Sequence, residues 1–181
     1  MKRRFLLPAL LLLLPAMAPA PGRSAFHPGP VFTDFAPIAT VKSDVAIPAG
    51  TEFKVAFDVS EGATPGELSR GIETAARFIN QHVDAGVPLS AIRVAIVVHG
   101  AASDDLLQPA AYAARHGGKA NGNATAIAQM IEKGVAFHLC GQSAASRGIA
   151  NAELLPGVKM AVSAMSSHAL LQQAGYTLNP F

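Results

Sequence analysis

Phe53, Val55, Phe57 and Val59 are apolar, while Lys54, Ala56 and Asp58 between them are small or charged. That period of two predicts a strand. Thr64-Pro65-Gly66-Glu67 then carries the signals of a helix start: Thr64 to cap, Pro65 at the first helical position and Glu67 to close a capping box. Leu68, Ile72, Ala75, Ala76, Ile79 and Val83 keep helical spacing, and Gly86 is the expected stop. Arg93 to His99 reads as a second strand, with the unbroken apolar run Val94 to Val98 expected of a strand covered on both faces. Ser103-Asp104-Asp105 is expected to cap a short turn, and Ala110 to His116 reads as helix after Pro109. Asn123 is the expected cap of a helix carrying Ile127, Met130 and Ile131 inward and stopping at Gly134. Val135 to Cys140 is a third strand, Ser143 to Ile149 one or two helical turns, and Val158 to Ala164 a fourth strand. Ser166 or Ser167 is expected to cap a last helix that packs Leu170 and Leu171, and Tyr176 to Phe181 to form an edge strand.

The order β-α-β-α-α-β-α-β-α-β predicts a single α/β domain over residues 51–181, with a mostly parallel sheet of about five strands and helices on both faces. In such sheets ligands bind beyond the carboxyl ends of the strands. Those ends carry Asp58, His99, Cys140 and Ser163.

Two segments precede the domain. Lys2, Arg3 and Arg4, then the apolar stretch Phe5 to Leu14, then small residues and prolines up to Ala25, have the order of a secretory signal peptide over residues 1–25. Cleavage after Ala18 or after Ala25 fits the small residues there. The apolar stretch is about half of the roughly 20 residues that span a bilayer, so no membrane anchor is expected after cleavage. Residues 26–50, with Pro28, Pro30, Pro37 and Pro48, read as an extended arm with a short strand near Val31 to Phe35.

The leader changes the charge picture. The whole chain carries 14 basic and 12 acidic residues, a net +2, but four of the basic ones precede Phe26. A chain starting at Phe26 has 10 basic and 12 acidic residues, and no basic stripe that would attract nucleic acid. About 155 residues bury a core without staples. The sequence has one cysteine, so no internal disulfide is possible, and an unpaired cysteine in an exported chain points to a reactive thiol, a pairing between chains or simple burial.

Cys140 is the leading candidate for chemistry. It ends a strand and precedes a short helix in Leu139-Cys140-Gly141-Gln142-Ser143. Gly141 is expected to let the backbone turn and leave the sulfur uncrowded. The amides of Gln142, Ser143 and Ala144 are expected to face the thiol and favour its thiolate, the nucleophilic form. A buried structural cysteine fits the same spacing. His99, at the next strand tip, suits a general base or an ion-pair partner for Cys140, or a cap on local backbone. His138 shares the face of Cys140 by alternation. Asp58 suits either the orientation of a histidine or a turn amide. Ser143, His99 and Asp58 hold the residue types of a hydrolase triad, but the Gly-x-Ser-x-Gly turn is missing. No compact His/Cys spacing supports a metal, and no cofactor is expected.

The segment Cys140-Gly141-Gln142-Ser143-Ala144-Ala145-Ser146-Arg147-Gly148 resembles the cysteine-bearing segment of the DsrE/DsrF-like sulfur-relay family, in which small residues and then Arg-Gly follow the cysteine. Val97-Val98-His99-Gly100, Leu155-Pro156-Gly157-Val158-Lys159, Ser163-Ala164-Met165 and the ending Gly175-Tyr176-Thr177-Leu178-Asn179-Pro180-Phe181 are similar to its exported branch. The resemblance covers about residues 50 to 181 and implies a doubly wound α/β fold, trimers or hexamers, and a periplasmic location. It also implies that Cys140 carries sulfur as a persulfide, passed between a small sulfur donor and a thiol-bearing partner. His99 would assist, and Gly141, Gln142, Ser143 and Asp58 would line the site. The alternative is a non-catalytic oligomeric module that binds a small ligand or a partner.

Overall fold

A computed structural model describes residues 25–179. Strands β1 (Phe53–Val59), β2 (Ile92–Val98), β3 (Ala136–Cys140), β4 (Lys159–Ala161) and β5 (Thr177–Asn179) form one sheet in the order β4-β3-β2-β1-β5. Every neighbouring pair is parallel. The helices are α1 (Arg70–Asp84), α2 (Pro109–Arg115), α3 (Ala124–Glu132), α4 (Gly141–Arg147) and α5 (Ala164–Gln173). The element order is the one the hydrophobic pattern predicts.

This strand order fixes which helix covers which face. From β1 to β4 the chain advances in one direction across the sheet, so right-handed crossovers keep the connecting helices on one side. The step from β4 to β5 runs back across the sheet, and the same handedness puts α5 on the other side. The core divides accordingly. Val55, Phe57, Ile96, Phe137 and Leu139 pack on the first face with Ile72 and Ile79 of α1 and Ile127 and Met130 of α3. Ala56, Ala95 and Val97 pack on the second face under Leu171 of α5, with Ala136, Ala164 and Tyr176 at the margin. On β1 and β2 the large side chains of the first face alternate with Ala56 and Ala95 on the second, which thins the second face under α5.

The arm before the sheet is not the short strand expected near Val31 to Phe35. It bends there, and its ladder contact is a single antiparallel bridge between His27 and Ile38. The bend is held by Asn80 of α1, which is fully buried. Its Oδ1 accepts the Val31 and Phe32 N–H groups at 3.1 and 2.9 Å, and its Nδ2 donates to the Phe32 and Ala36 carbonyls at 3.0 and 2.9 Å. Phe32, Ala36 and Ile38 thereby become core. One polar side chain from a distant helix replaces a strand partner.

Two helix starts and one cap also differ from expectation. Thr64-Pro65-Gly66-Glu67 forms an isolated turn, with Glu67 N–H donating to the Thr64 carbonyl at 2.8 Å. Gly66 sits at φ +97°, which interrupts a right-handed helix, and α1 begins after Ser69. Asn123 precedes α3, but its side chain does not cap it. Its Oδ1 accepts the Ser69 N–H at 2.7 Å instead, tying α1 to α3. The last helix is capped by Ser163 rather than by Ser166 or Ser167. Ser163 Oγ accepts the Ser166 N–H at 3.0 Å and Ser166 Oγ accepts the Ser163 N–H at 3.1 Å. That reciprocal cap ends β4 at Ala161, three residues earlier than predicted. Among the described residues no helix is long and apolar enough to cross a membrane. The expected leader, apart from Ala25, and the last two residues of the expected edge strand lie outside the described residues.

Candidate functional site

Alternation sorts the strand-tip residues. Phe57, Val98 and Leu139 point into the first face, so Asp58, His99, His138 and Cys140 point into the second. The ladders set Asp58 beside Val97 and Val97 beside His138. One step beyond the Val98–Leu139 pair, His99 and Cys140 occupy adjacent strand tips. His99 stays extended at φ −150° and ψ −177°, so the alternation runs through it. Neighbouring strands lie about 4.8 Å apart, which makes these two residues lateral neighbours.

Cys140 is the N-cap residue of α4, with φ −64° and ψ 116°. Its side chain is nearly covered, with 6% of the residue exposed. The expectation of an uncrowded sulfur is therefore corrected. Gly141 serves a different need: a Cβ there would meet the Ala161 carbonyl oxygen at 2.6 Å, because the end of β4 passes against it. Burial pushes the Cys140 thiol up, but hydrogen bonds from the Ser143 N–H, the Ser143 hydroxyl and the Ala164 and Gln142 N–H groups outweigh it and hold the thiol below its ordinary value. Two of these amides belong to the first turn of α4 and one to the first turn of α5, groups that lack partners within their own helices. The donor set differs from the one the sequence suggests, since Ala164 takes the place of Ala144. Ser143 also accepts the Gly100 N–H at 3.0 Å, which leaves its hydroxyl hydrogen for the sulfur. The far end of α4 is fixed by Arg147, whose Nε and Nη2 reach the two oxygens of Asp104 at 3.1 and 2.9 Å. Arg115 donates to the carbonyls of Arg147 and Gly148, both at 2.9 Å.

His99 does not hydrogen-bond to Cys140. Its Nε2 meets Asp58 Oδ2 at 3.0 Å, and Nε2 of His168, from α5, meets Asp58 Oδ1 at 2.8 Å. Burial pushes the Asp58 carboxyl up, but the two imidazoles more than compensate and hold it below the usual carboxylate range. Asp58 therefore orients histidines, one of its two expected roles. His138 sits one layer below Cys140 on β3, with Nδ1 at 2.7 Å from Ser167 Oγ. Burial first, then the charges of Lys159 and His168, push its imidazole down. Gln142 reaches sideways to the Val162 carbonyl at 3.3 Å. Ser143 and His99 share no hydrogen bond, so no hydrolase triad forms. Among the described residues no group of three His, Cys, Asp or Glu side chains is placed to hold a metal ion.

Two clefts flank the strand ends. A polar one of about 500 Å³ lies at the end of β1, lined by Asp58, Ser60, Glu61, Thr64 and Arg70. An apolar groove of about 370 Å³ lies one strand beyond Cys140, between β4 and α5, lined by His138, Met160, Val162, Ser166 and Leu170.

Sequence reasoning missed His168 and Ala164. Both follow from placing the cap at Ser163, because Ala164, Ser167, His168 and Leu171 then share the inward face of α5 at helical spacing. The Ser163-x-x-Ser166 pair was the available signal.

The family model of the DsrE/DsrF-like family matches residues 54–180. Among solved structures, the chain is similar to the protein of unknown function MTH1491 from Methanobacterium thermoautotrophicum. The two share 16% identity with a TM-score of 0.52, over 72% of this chain and all of that one. At that identity the likeness speaks for the fold. No curated protein matches the chain significantly.

Proposed function

We propose that this chain, which belongs to the DsrE/DsrF-like family, carries sulfane sulfur on Cys140 as an exported, periplasmic relay protein. The observation behind this reading is the donor set around the sulfur: three backbone amides and a hydroxyl favour the anionic form of a thiol that burial alone would keep protonated. A thiolate attacks a polysulfide at a sulfane sulfur, the S–S bond breaks, and a polysulfide one sulfur shorter leaves. Cys140 then holds a persulfide, Cys140–S–S⁻, and passes its outer sulfur to an acceptor thiol. The outer sulfur extends the reach of a side chain that is itself nearly covered. Export rests on the leader-like residues 1–25. Assembly as a trimer or hexamer is part of the same reading, supported by the exposed apolar side chains of Val162 and Leu170 on the groove wall and of Met165 on α5.

The test is to incubate the protein with polysulfide and weigh it intact. A gain of one sulfur mass, lost in Cys140→Ala, is the expected result. A second reading rests on the apolar groove beside the site: a module that binds a partner or small apolar ligand, with Cys140 as a wall residue. Absence of any adduct, together with ligand binding that survives Cys140→Ala, would favour the module.

A further inference from the structure

We propose that His168 and Asp58 are positioning residues that make Nδ1 of His99 the proton carrier of sulfur transfer, so that the site accepts protonated thiols of ordinary acidity. This inference rests on the relay reading of Cys140.

The geometry begins with the carboxylate. Asp58 receives an imidazole on each oxygen, Nε2 of His99 at 3.0 Å and Nε2 of His168 at 2.8 Å. A carboxylate only accepts hydrogen bonds, so both imidazoles hold a hydrogen on Nε2. The basic nitrogen of neutral His99 is then Nδ1, and the ring is half-exposed. Nδ1 of His168 is buried without a partner, so His168 offers no basic nitrogen to solvent. The two histidines are thus unequal: one is partly exposed at the strand tip beside Cys140, and the other anchors the carboxylate from its buried side. The charged or titratable groups around this cluster are Asp58 from β1, Glu61, Glu67 and Arg70 in the cleft beside Asp58, Cys140 and His138 from β3, and His168 from α5, with Lys159 of β4 acting on His138.

In the transfer step, Nδ1 of His99 takes the proton from the acceptor thiol R–SH. The thiolate R–S⁻ attacks the outer sulfur of Cys140–S–S⁻, to which His99 delivers that proton. The new bond is R–S to sulfane sulfur. The bond that breaks joins the sulfane sulfur to Cys140 Sγ, which leaves with the electron pair as a thiolate under the Ser143, Ala164 and Gln142 amides. The products are R–S–SH and Cys140–S⁻; charge and hydrogen balance, and no oxidant or reductant is needed. A general base of this kind contributes about 10²-fold or more, and the contribution disappears once the acceptor is already ionised in solution.

The experiment loads the full chain with polysulfide and measures transfer to N-acetylcysteine per loaded Cys140, across pH. At about pH 6.5, below the ordinary thiol value of about 8.5, Asp58→Asn is expected to slow transfer at least about tenfold, because the amide has one acceptor oxygen and can no longer hold the Nε2–H of both rings. His168→Ala is expected to slow it by about threefold to tenfold as the carboxylate loses its anchor. His168→Gln, whose amide N–H can replace Nε2–H, is expected to recover most of that loss. At about pH 9.5 all rates should converge, since the acceptor is then a thiolate. Nitrogen-15 spectra of the wild type should place the protons of His99 and His168 on Nε2. Rates that stay equal at low pH, a deficit that persists unchanged at high pH, or a His99 proton on Nδ1 would overturn the inference while leaving the persulfide intact. No adduct on the wild type would overturn the relay reading itself, and this inference with it.

Discussion

Phe57 and Asp58 are neighbours in the chain on opposite sides of the same strand. Phe57 is fully buried among Ile72, Phe137 and other large side chains, whereas Asp58 meets two histidines. The contrast repeats on β2, between Val98 and His99, and on β3, between Leu139 and Cys140. The first face is thick, apolar and closed by α1, α3 and the N-terminal arm. The second is thin, floored by Ala56, Ala95 and Ala136, and covered by α5 alone. The two faces divide the labour. Stability comes mainly from the large residues of one parity, which leaves those of the other parity free to carry charge, a thiol and imidazoles close to solvent.

Substitution on either face tests how far the two are independent. The largest expected effect is at Cys140. Cys140→Ala should abolish the polysulfide adduct in intact mass while costing about 1 kcal/mol or less in denaturant unfolding, because a small apolar residue replaces another. Asn80→Ala should do the converse. It leaves buried backbone groups of the arm without partners and should cost about 3 kcal/mol, yet the adduct should still form. A loss of adduct equal to the loss of folded protein would show that the faces are not separable.

A titration on the first-face side gives a third effect. Asp105, almost fully buried next to Leu106, is pushed up to about 6 by burial and by the Asp104 charge, against the Ala63 N–H, His116 and Arg147, which lower it. Its folded form therefore holds a proton that the unfolded chain has released between about 3.8 and 6. The folded state binds more protons in that window, so this group's contribution makes stability fall as pH rises through it and stay lower above it. Asp105→Asn removes that loss while an amide oxygen can still accept the Ala63 N–H. It should raise the melting temperature at about pH 7.5, where the ionisation costs about 2–3 kcal/mol, and have little effect near pH 4. Equal shifts at both pH values would contradict the assignment. The smallest effect is at the joint between the site and α5. Ser163→Ala removes a cap worth about 1 kcal/mol and loosens the Ala164 N–H over the sulfur, so alkylation of Cys140 should slow at neutral pH even where folding is intact.

Much of this division was legible in the sequence, because it is written in parity. The alternation from Phe53 to Val59 and the spacing of His138 and Cys140 fixed which residues share a face before any coordinates. Element order was legible for the same reason, as was the strand-to-helix turn at Cys140. What could not be read was lateral. Strand order depends on contacts far apart in the chain, so nothing local revealed that β5 returns beside β1 and brings α5, with His168, over Asp58. The bend of the arm depends on Asn80, about 45 residues away, and Asn80 reads locally as one more polar helix residue. The helix starts at Ser69 and Ser163 shift for a local reason: other candidate caps lie within a few positions, and where the helix docks decides the start, with a side-chain cap at Ser163 and none at Ser69.

The proposed relay turns on the amides of α4 and α5 favouring the anionic form of a nearly covered Cys140 thiol. The most direct test is the rate of iodoacetamide alkylation of the folded protein as a function of pH. A single reactive thiol is expected, with a rate that reaches half its plateau at a lower pH than the same thiol in the unfolded chain. A midpoint at or above that of the unfolded chain, or a thiol that reacts only after unfolding, would contradict the relay.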